Sequence, residues 1–172
     1  MHYDSMRAMR LFIKEFLDSE KELSILEVGS AVDTNVKPKY QGMYYRKYFT
    51  DNPNWDYTGI DIIENSNVDV VVEPYRYPFP DNTFDVVISG STLEHVPDMY
   101  RWIKEVARVA NDLVFILVPN TCIEHKHPVD CWRVFPDGLR FLLKEIAGLE
   151  IIKVEKFGGN GRKDTIGVAR KI

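Results

Sequence analysis

The sequence predicts an α/β fold built on one doubly wound sheet, mostly parallel, with an antiparallel strand near its end. Three observations carry that reading. Runs at 23–28, 84–89 and 113–118 are apolar on both faces, as strands covered by helices on both sides must be. Segments with helical spacing alternate with them along the chain. The last two strand-like runs, 149–157 and 165–170, are joined by GGNGRKD, the pattern of a hairpin with a long tip.

The elements follow in order. Asp4 or Ser5 is placed to cap a helix within residues 1–20, with Met6, Met9, Ile13, Phe16 and Leu17 at helical spacing. The strand at 23–28 runs into Gly29, with Ala31 and Asp33 where dinucleotide loops carry further glycines. Residues 40–49, YQGMYYRKYF, read as a helix that includes Tyr44. Residues 56–63 and 68–72 are strands rich in β-branched side chains. PYRYPFPDN follows, and its three prolines leave only a shaped surface loop. The strand at 84–89 leads to a helix at 99–110, with Trp102, Val106 and Val109 on one face, and then to the strand at 113–118. A polar loop over 120–135 precedes a helix at 136–147 that begins with proline.

Bulk properties narrow the function. A chain of 172 residues, 45% hydrophobic, supports one core and therefore one domain. A net charge of -4 with a pI near 5.6 argues against nucleic acid, whose binders need a dense basic face. No apolar run reaches the roughly 20 residues of a membrane span, and the N-terminus lacks a signal-peptide core. A cytoplasmic protein with reduced Cys122 and Cys131 is expected, with no membrane partner.

In such sheets the ligand lies outside the carboxyl ends of the strands, where strand order reverses. The residues at those ends are Gly29, Asp61, Glu73, Ser89 and Pro119. Asp61 is placed to accept both hydroxyls of a ribose. Glu73, beside Pro74 and Tyr75, is placed to take an exocyclic amine while an aromatic ring stacks on the base. Glu27 either meets a cationic ligand or holds loop amides. His95, just after the fourth strand, and the run HKHPVDCWR, with His125, His127, Asp130 and Arg133, offer acid-base groups. In that reading Asp130 orients His127 and Arg133 clamps an acidic substrate group. A metal held by the histidines is a competing use of the same residues. Their spacing matches no standard zinc pattern and Pro128 restricts how the two imidazoles converge, so no metal is assigned.

Taken together, ILEVGS, GID, YPFPDNTFDVVISGSTLEHV and HPVDCWRVFPDGL resemble class I S-adenosylmethionine-dependent methyltransferases, in particular the methyltransferase-11-like group. The resemblance implies a Rossmann-like sheet of order 3-2-1-4-5-7-6 within a single methyltransferase-like domain over 1–172, with 120–135 as a substrate-side loop. It implies a cofactor site of Glu27, Gly29, Ser30, Asp61, Ile62, Glu73, Pro74, Tyr75, Ser89 and Gly90. It further implies S-adenosylmethionine as cofactor and a small-molecule or glycan-precursor acceptor. Candidate catalytic residues are then His95, His127 and Asp130, and Arg133, His125 and Tyr44 are the candidate substrate contacts. S-adenosylmethionine carries no pyrophosphate, so a loop with one glycine can serve it. Two alternatives stand beside this: a non-catalytic binding protein with a methyltransferase fold, and a nicotinamide-dependent enzyme. The missing second and third glycines count against the latter.

Overall fold

The computed structural model describes residues 2–32, 42–159 and 163–172. Asp33, the start of the predicted helix at Tyr40 and the centre of the glycine-rich tip lie outside them. Seven strands form one sheet in the order β3-β2-β1-β4-β5-β7-β6, as the resemblance implied. They are β1 (Leu23–Val28), β2 (Trp55–Asp61), β3 (Val70–Val71), β4 (Phe84–Gly90), β5 (Ala110–Thr121), β6 (Glu150–Phe157) and β7 (Lys163–Arg170). The first five pair in parallel, whereas β7 runs antiparallel to both β5 and β6.

Alternation along the central strands builds two cores. Leu26, Val28, Val87, Val114 and Ile116 face helix α3 (Met99–Val109) and helix α4 (Pro136–Phe141). Ile25, Val86, Ile88, Phe115 and Leu117 face helix α1 (Tyr3–Phe16) and the short α2 (Arg46–Thr50). Each central strand therefore loses both faces to helices, which is why its sequence is mainly apolar, with the buried Glu27 and Ser89 as exceptions.

Several boundaries differ from expectation for local reasons. Helix α1 is capped by His2 rather than Asp4 or Ser5. The Ser5 hydroxyl accepts the His2 N–H at 3.0 Å and donates to the His2 carbonyl at 2.7 Å. In the aromatic stretch only Arg46 onward is helical among the described residues. The strand expected over 68–72 narrows to two ladder residues, although the Asp69 and Val72 N–H groups still bond Gly59 and Asp61 carbonyls. β5 is longer than expected because β7 pairs along it to Thr121. The register shifts between Pro119 and Thr121, as a residue without an N–H requires. The last expected helix ends in a wider π turn, Leu142–Ile146, which lets Leu142 and Leu143 both bury. No helix among the described residues is long and apolar enough to cross a membrane.

β1 ends against the loop that follows β4. Gly29 has φ +81, its N–H bonds the Ile60 carbonyl at 2.9 Å, and the space of a Cβ is filled by Thr92, whose Oγ1 lies 2.1 Å from that position. Two residues before Gly29, Glu27 points into the opposite core with Ile25. There it is 1% exposed and hydrogen-bonded to the Tyr57 hydroxyl. Burial raises its pKa from 4.5 to about 8, with Tyr57 and the nearby Arg46 opposing the rise.

Two stability predictions follow from this corner. Gly29→Ala combines left-handed strain with overlap on Thr92 and should cost about 2–4 kcal/mol in denaturant unfolding. A value under about 1 kcal/mol would mean that Thr92 yields freely. Glu27 keeps its proton in the folded state while the unfolded chain releases it near pH 4.5. Its contribution is therefore complete below pH 4.5 and is lost as pH rises toward about 8. Glu27→Gln has no proton to lose, so its stability relative to the parent should climb across pH 5 to 8, by up to about 1.4 kcal/mol per pH unit. A pH-independent difference would show that Glu27 is ionised when folded.

Candidate functional site

A cavity of about 1450 Å³ opens at the carboxyl edge of the sheet, where β1 and β4 diverge. Single small-molecule pockets commonly span about 300–1,000 Å³, so this one has room for a nucleoside cofactor beside a second molecule. A shallower hollow of about 590 Å³ at the amino-terminal edge, near Ser24 and Asp85, lies away from every loop expected to bind a ligand.

One end of the cavity sets a carboxylate under an apolar and aromatic wall. Gly29 and Ala31 form its floor, and Asp61 stands at the end of β2. The Asp61 carboxylate organises the loop around it, accepting the Ala31 N–H at 3.0 Å and the Ile62 N–H at 2.7 Å. A carboxylate has about four acceptor sites, and the Ile63 N–H at 3.4 Å is a third, longer donor, so capacity for a ligand hydroxyl remains. Ile62, Ile63, Val72, Pro74, Tyr75 and Tyr77 supply an apolar and aromatic wall, backed by Trp102. That wall is held by α3. Glu105 accepts the Tyr77 N–H at 2.6 Å, and Arg108 donates to the carbonyls of Tyr77 and Phe79 and to Asp81. The proline-rich loop is thus a braced surface. Tyr75 is further fixed by the Asp98 N–H on its hydroxyl and by the Arg101 guanidinium 4.9 Å from its ring centre.

The other end is a histidine cluster. His95 sits in the short 3-10 turn Leu93–His95 after β4, and His125 and His127 sit in the loop after β5. Their ring centres lie 5.0, 5.7 and 6.2 Å apart, and all three line the cavity. His95 Nδ1 lies 2.6 Å from the Val129 carbonyl. Burial holds the His95 pKa below its ordinary value, against the opposing effect of that bond. The fully buried Glu94 lies beneath, its Oε1 3.7 Å from His95 Nε2 and 3.9 Å from His125 Nε2. The two loops are tied where the Cys131 and Trp132 N–H groups both donate to the Glu94 carbonyl, and the Trp132 indole donates to that of Val96.

Gly29, Asp61, Ile62, Pro74, Tyr75, Gly90, Tyr44 and the three histidines therefore converge on one cavity. Others of the expected set do not line it. Glu27 alternates to the far core. Ser30 is buried against Gly59, and Ser89 spends its hydroxyl on the Val28 carbonyl at 2.8 Å. Glu73 is exposed and lies off the cavity, its carbonyl accepting the Arg76 N–H at 3.4 Å in an isolated backbone bridge. Arg133 is no substrate clamp: its donors go to Asp130 and to the carbonyls of Cys122, Ile123 and Trp132. Asp130 is held by Arg133, which keeps its pKa well below the usual carboxylate range. It also accepts the His125 N–H at 2.6 Å, so it braces the loop through His125, where His127 was expected. The sequence reading did not single out Thr92, Ser91 with its strained φ of 58, or His2, which line the cavity, nor Glu94, which is buried beneath the histidines. Glu94 alone had a visible signal, an acid adjoining the candidate His95.

A methyltransferase-domain family matches residues 42–117. A probable chloroplastic tocopherol O-methyltransferase from rice, Oryza sativa subsp. japonica, is 39% identical over 76 residues, which are 44% of this chain and 20% of that protein. The chain thus spans about a fifth of that relative's length. The crystal structure of an S-adenosylmethionine-dependent methyltransferase from Aquifex aeolicus superposes with a TM-score of 0.63 at 19% identity, covering 99% of this chain and 100% of the other. The Burkholderia thailandensis 1,6-didemethyltoxoflavin-N1-methyltransferase, solved with 1,6-didemethyltoxoflavin and S-adenosylhomocysteine, gives 0.73 at 18% identity, covering 97% and 78%. The matched segment runs from the turn before α2 through most of β5, and the 3-2-1-4-5-7-6 sheet extends the likeness in fold to the rest of the chain, which therefore carries a methyltransferase-domain match within a methyltransferase-like fold.

Proposed function

We propose that the protein transfers the methyl group of S-adenosylmethionine to a hydroxyl of a small molecule, with a glycan precursor as one such acceptor. The observation that carries this is the division of one cavity into a nucleoside-shaped end, with Asp61 under an aromatic wall, and a histidine-lined end beyond Gly29. Asp61 takes a ribose hydroxyl, Tyr75 and Pro74 cover the adenine, and the backbone at Gly29 and Gly90 borders the methionine. The rice relative is named for an O-methylation, and the Burkholderia structure holds a small heterocycle, both consistent with a small acceptor. Tyr44 and Ile123 border the space left for it. The chain acts in this reading as one domain of the cytoplasm, a compartment that suits the free thiols of Cys122 and Cys131.

The chemistry asks little of the protein beyond alignment and dryness. The acceptor oxygen attacks the methyl carbon in line with the departing sulfur, and the carbon–sulfur bond leaves its electron pair on sulfur. A hydroxyl acceptor must also lose a proton, and His95 and His127, both on the cavity wall, are the groups that take it.

Calorimetric titration with S-adenosylhomocysteine should give micromolar binding. Asp61→Asn should weaken it about tenfold to a hundredfold, the worth of charged hydrogen bonds. Glu73→Ala should leave it unchanged, because Glu73 lies off the cavity. Equal losses in both variants would move the cofactor toward β3. Turnover is read as S-adenosylhomocysteine released from a panel of hydroxyl acceptors. With an accepted one, His127→Ala should lower kcat about a hundredfold with little change in cofactor affinity. An unchanged kcat would remove His127 from the proton path.

A further inference from the structure

The end of the cavity away from the aromatic wall holds three atoms that can carry lone pairs and point at one another: Glu94 Oε1, His95 Nε2 and His125 Nε2. All three ligand atoms lie within 4.8 Å of each other, with 3.7 and 3.9 Å from the carboxylate oxygen to the two nitrogens. The opposite sides of the rings orient them. His95 Nδ1 meets the Val129 carbonyl at 2.6 Å, and a carbonyl only accepts, so the proton is on Nδ1. His125 Nδ1 is surrounded by the Ile123 carbonyl at 3.3 Å, the Cys122 sulfur at 3.5 Å and the Asp130 carboxylate at 3.6 Å, which orients the ring with Nε2 toward Glu94. His95 Nε2 therefore presents a lone pair toward the buried carboxylate, and His125 Nε2 converges on the same oxygen. Such a convergence matches the ligand set of a metal ion. A backbone carbonyl or carboxylate behind each imidazole is the arrangement that orients histidine ligands of metals.

The supports are rigid. Glu94 and His95 stand four and five residues beyond β4, and His125 four residues beyond β5. Asp130, locked by Arg133, holds the His125 backbone. Glu94 lies beneath, while both imidazoles border the cavity, so the open side of the set faces the space left for the acceptor. Metal–ligand bonds of about 2.0–2.2 Å are reached from these positions by side-chain shifts of a few tenths of an ångström.

We propose that Glu94, His95 and His125 form a three-ligand site for a divalent first-row transition metal, zinc in the first instance, with its open positions facing the acceptor. Two imidazoles and one carboxylate suit such ions, and three protein ligands with an open position mark catalytic rather than structural sites. The catalytic part rests on the methyltransferase reading, whereas metal binding does not. The ion binds the acceptor oxygen and lowers the pKa of its hydroxyl, and the proton passes to His127 or to water. The oxygen then attacks the methyl carbon, the carbon–sulfur bond breaks with its pair on sulfur, and the ion changes neither charge nor oxidation state. His95 is in this case a ligand, and His127 remains the base.

The test uses the whole chain, stripped with a chelator and titrated with Zn²⁺ by calorimetry and with Co²⁺ by visible absorption. One equivalent of Zn²⁺ should bind at micromolar concentration or tighter, and Co²⁺ should develop ligand-field bands. His125→Ala, at a partly exposed side chain, and Glu94→Gln should each weaken Zn²⁺ by about a hundredfold or more. Absence of a stoichiometric site in the parent, or affinity unchanged in His125→Ala and His95→Ala alike, would overturn the proposal. S-adenosylhomocysteine titrated into the same proteins separates the two readings. Variants that keep its affinity are folded, so their lost Zn²⁺ affinity supports the site. A parent that binds Zn²⁺ but no S-adenosylhomocysteine keeps the metal site and refutes the cofactor.

Discussion

The close approach of Gly29 to Thr92 sets the geometry of everything at the carboxyl edge. β1 and β4 are neighbours in the sheet, and beyond it their chains turn to opposite faces, which opens the crevice. Thr92 occupies the volume of a side chain at 29, so the two loops interlock and the cavity floor is backbone. Ser91 is held at φ 58 beside it, with its N–H on the Leu117 carbonyl. Strain of this kind persists only where surrounding bonds over-determine the chain.

Polar groups near the edge divide by direction. Glu27 and Ser89 point into the sheet and join strands to one another, and Asn67 bonds the Ser30 carbonyl at 2.7 Å. They hold the frame and leave few charged groups to compete for a ligand. Among the described residues, the cavity is faced by the Asp61 carboxylate at the apolar end and by three imidazoles and Lys126 at the other. That separation suits a reaction in which a cationic cofactor must be aligned but not hydrolysed.

The two ends are supported differently. The aromatic wall hangs on α3 through Glu105 and Arg108, which bond the backbone of a loop whose prolines leave it little freedom of its own. The histidine end hangs on the pairing of β5 with β7 and on the Asp130–Arg133 pair, which fixes the segment after β5 against the turn after β4.

The order of elements, the apolar central strands and the acid after β2 were legible in the sequence because each is a local property: a strand buried on both faces must be mainly apolar, and a strand end is marked by its last residues. That logic singled out Asp61, Gly29 and the aromatic loop, all of which line the cavity. Glu73 and Ser89 were misplaced because a strand end has two faces and a sideways direction, and only the packed sheet decides which one a side chain takes. Arg133 was read as a free cation because sequence does not show that its donors are consumed by carbonyls eleven residues or fewer away. The joining of Glu94 and His95 to His125 depends on two loops from adjacent parallel strands ending side by side. Thirty residues separate them in the chain, and a distance of that kind is set by tertiary packing alone.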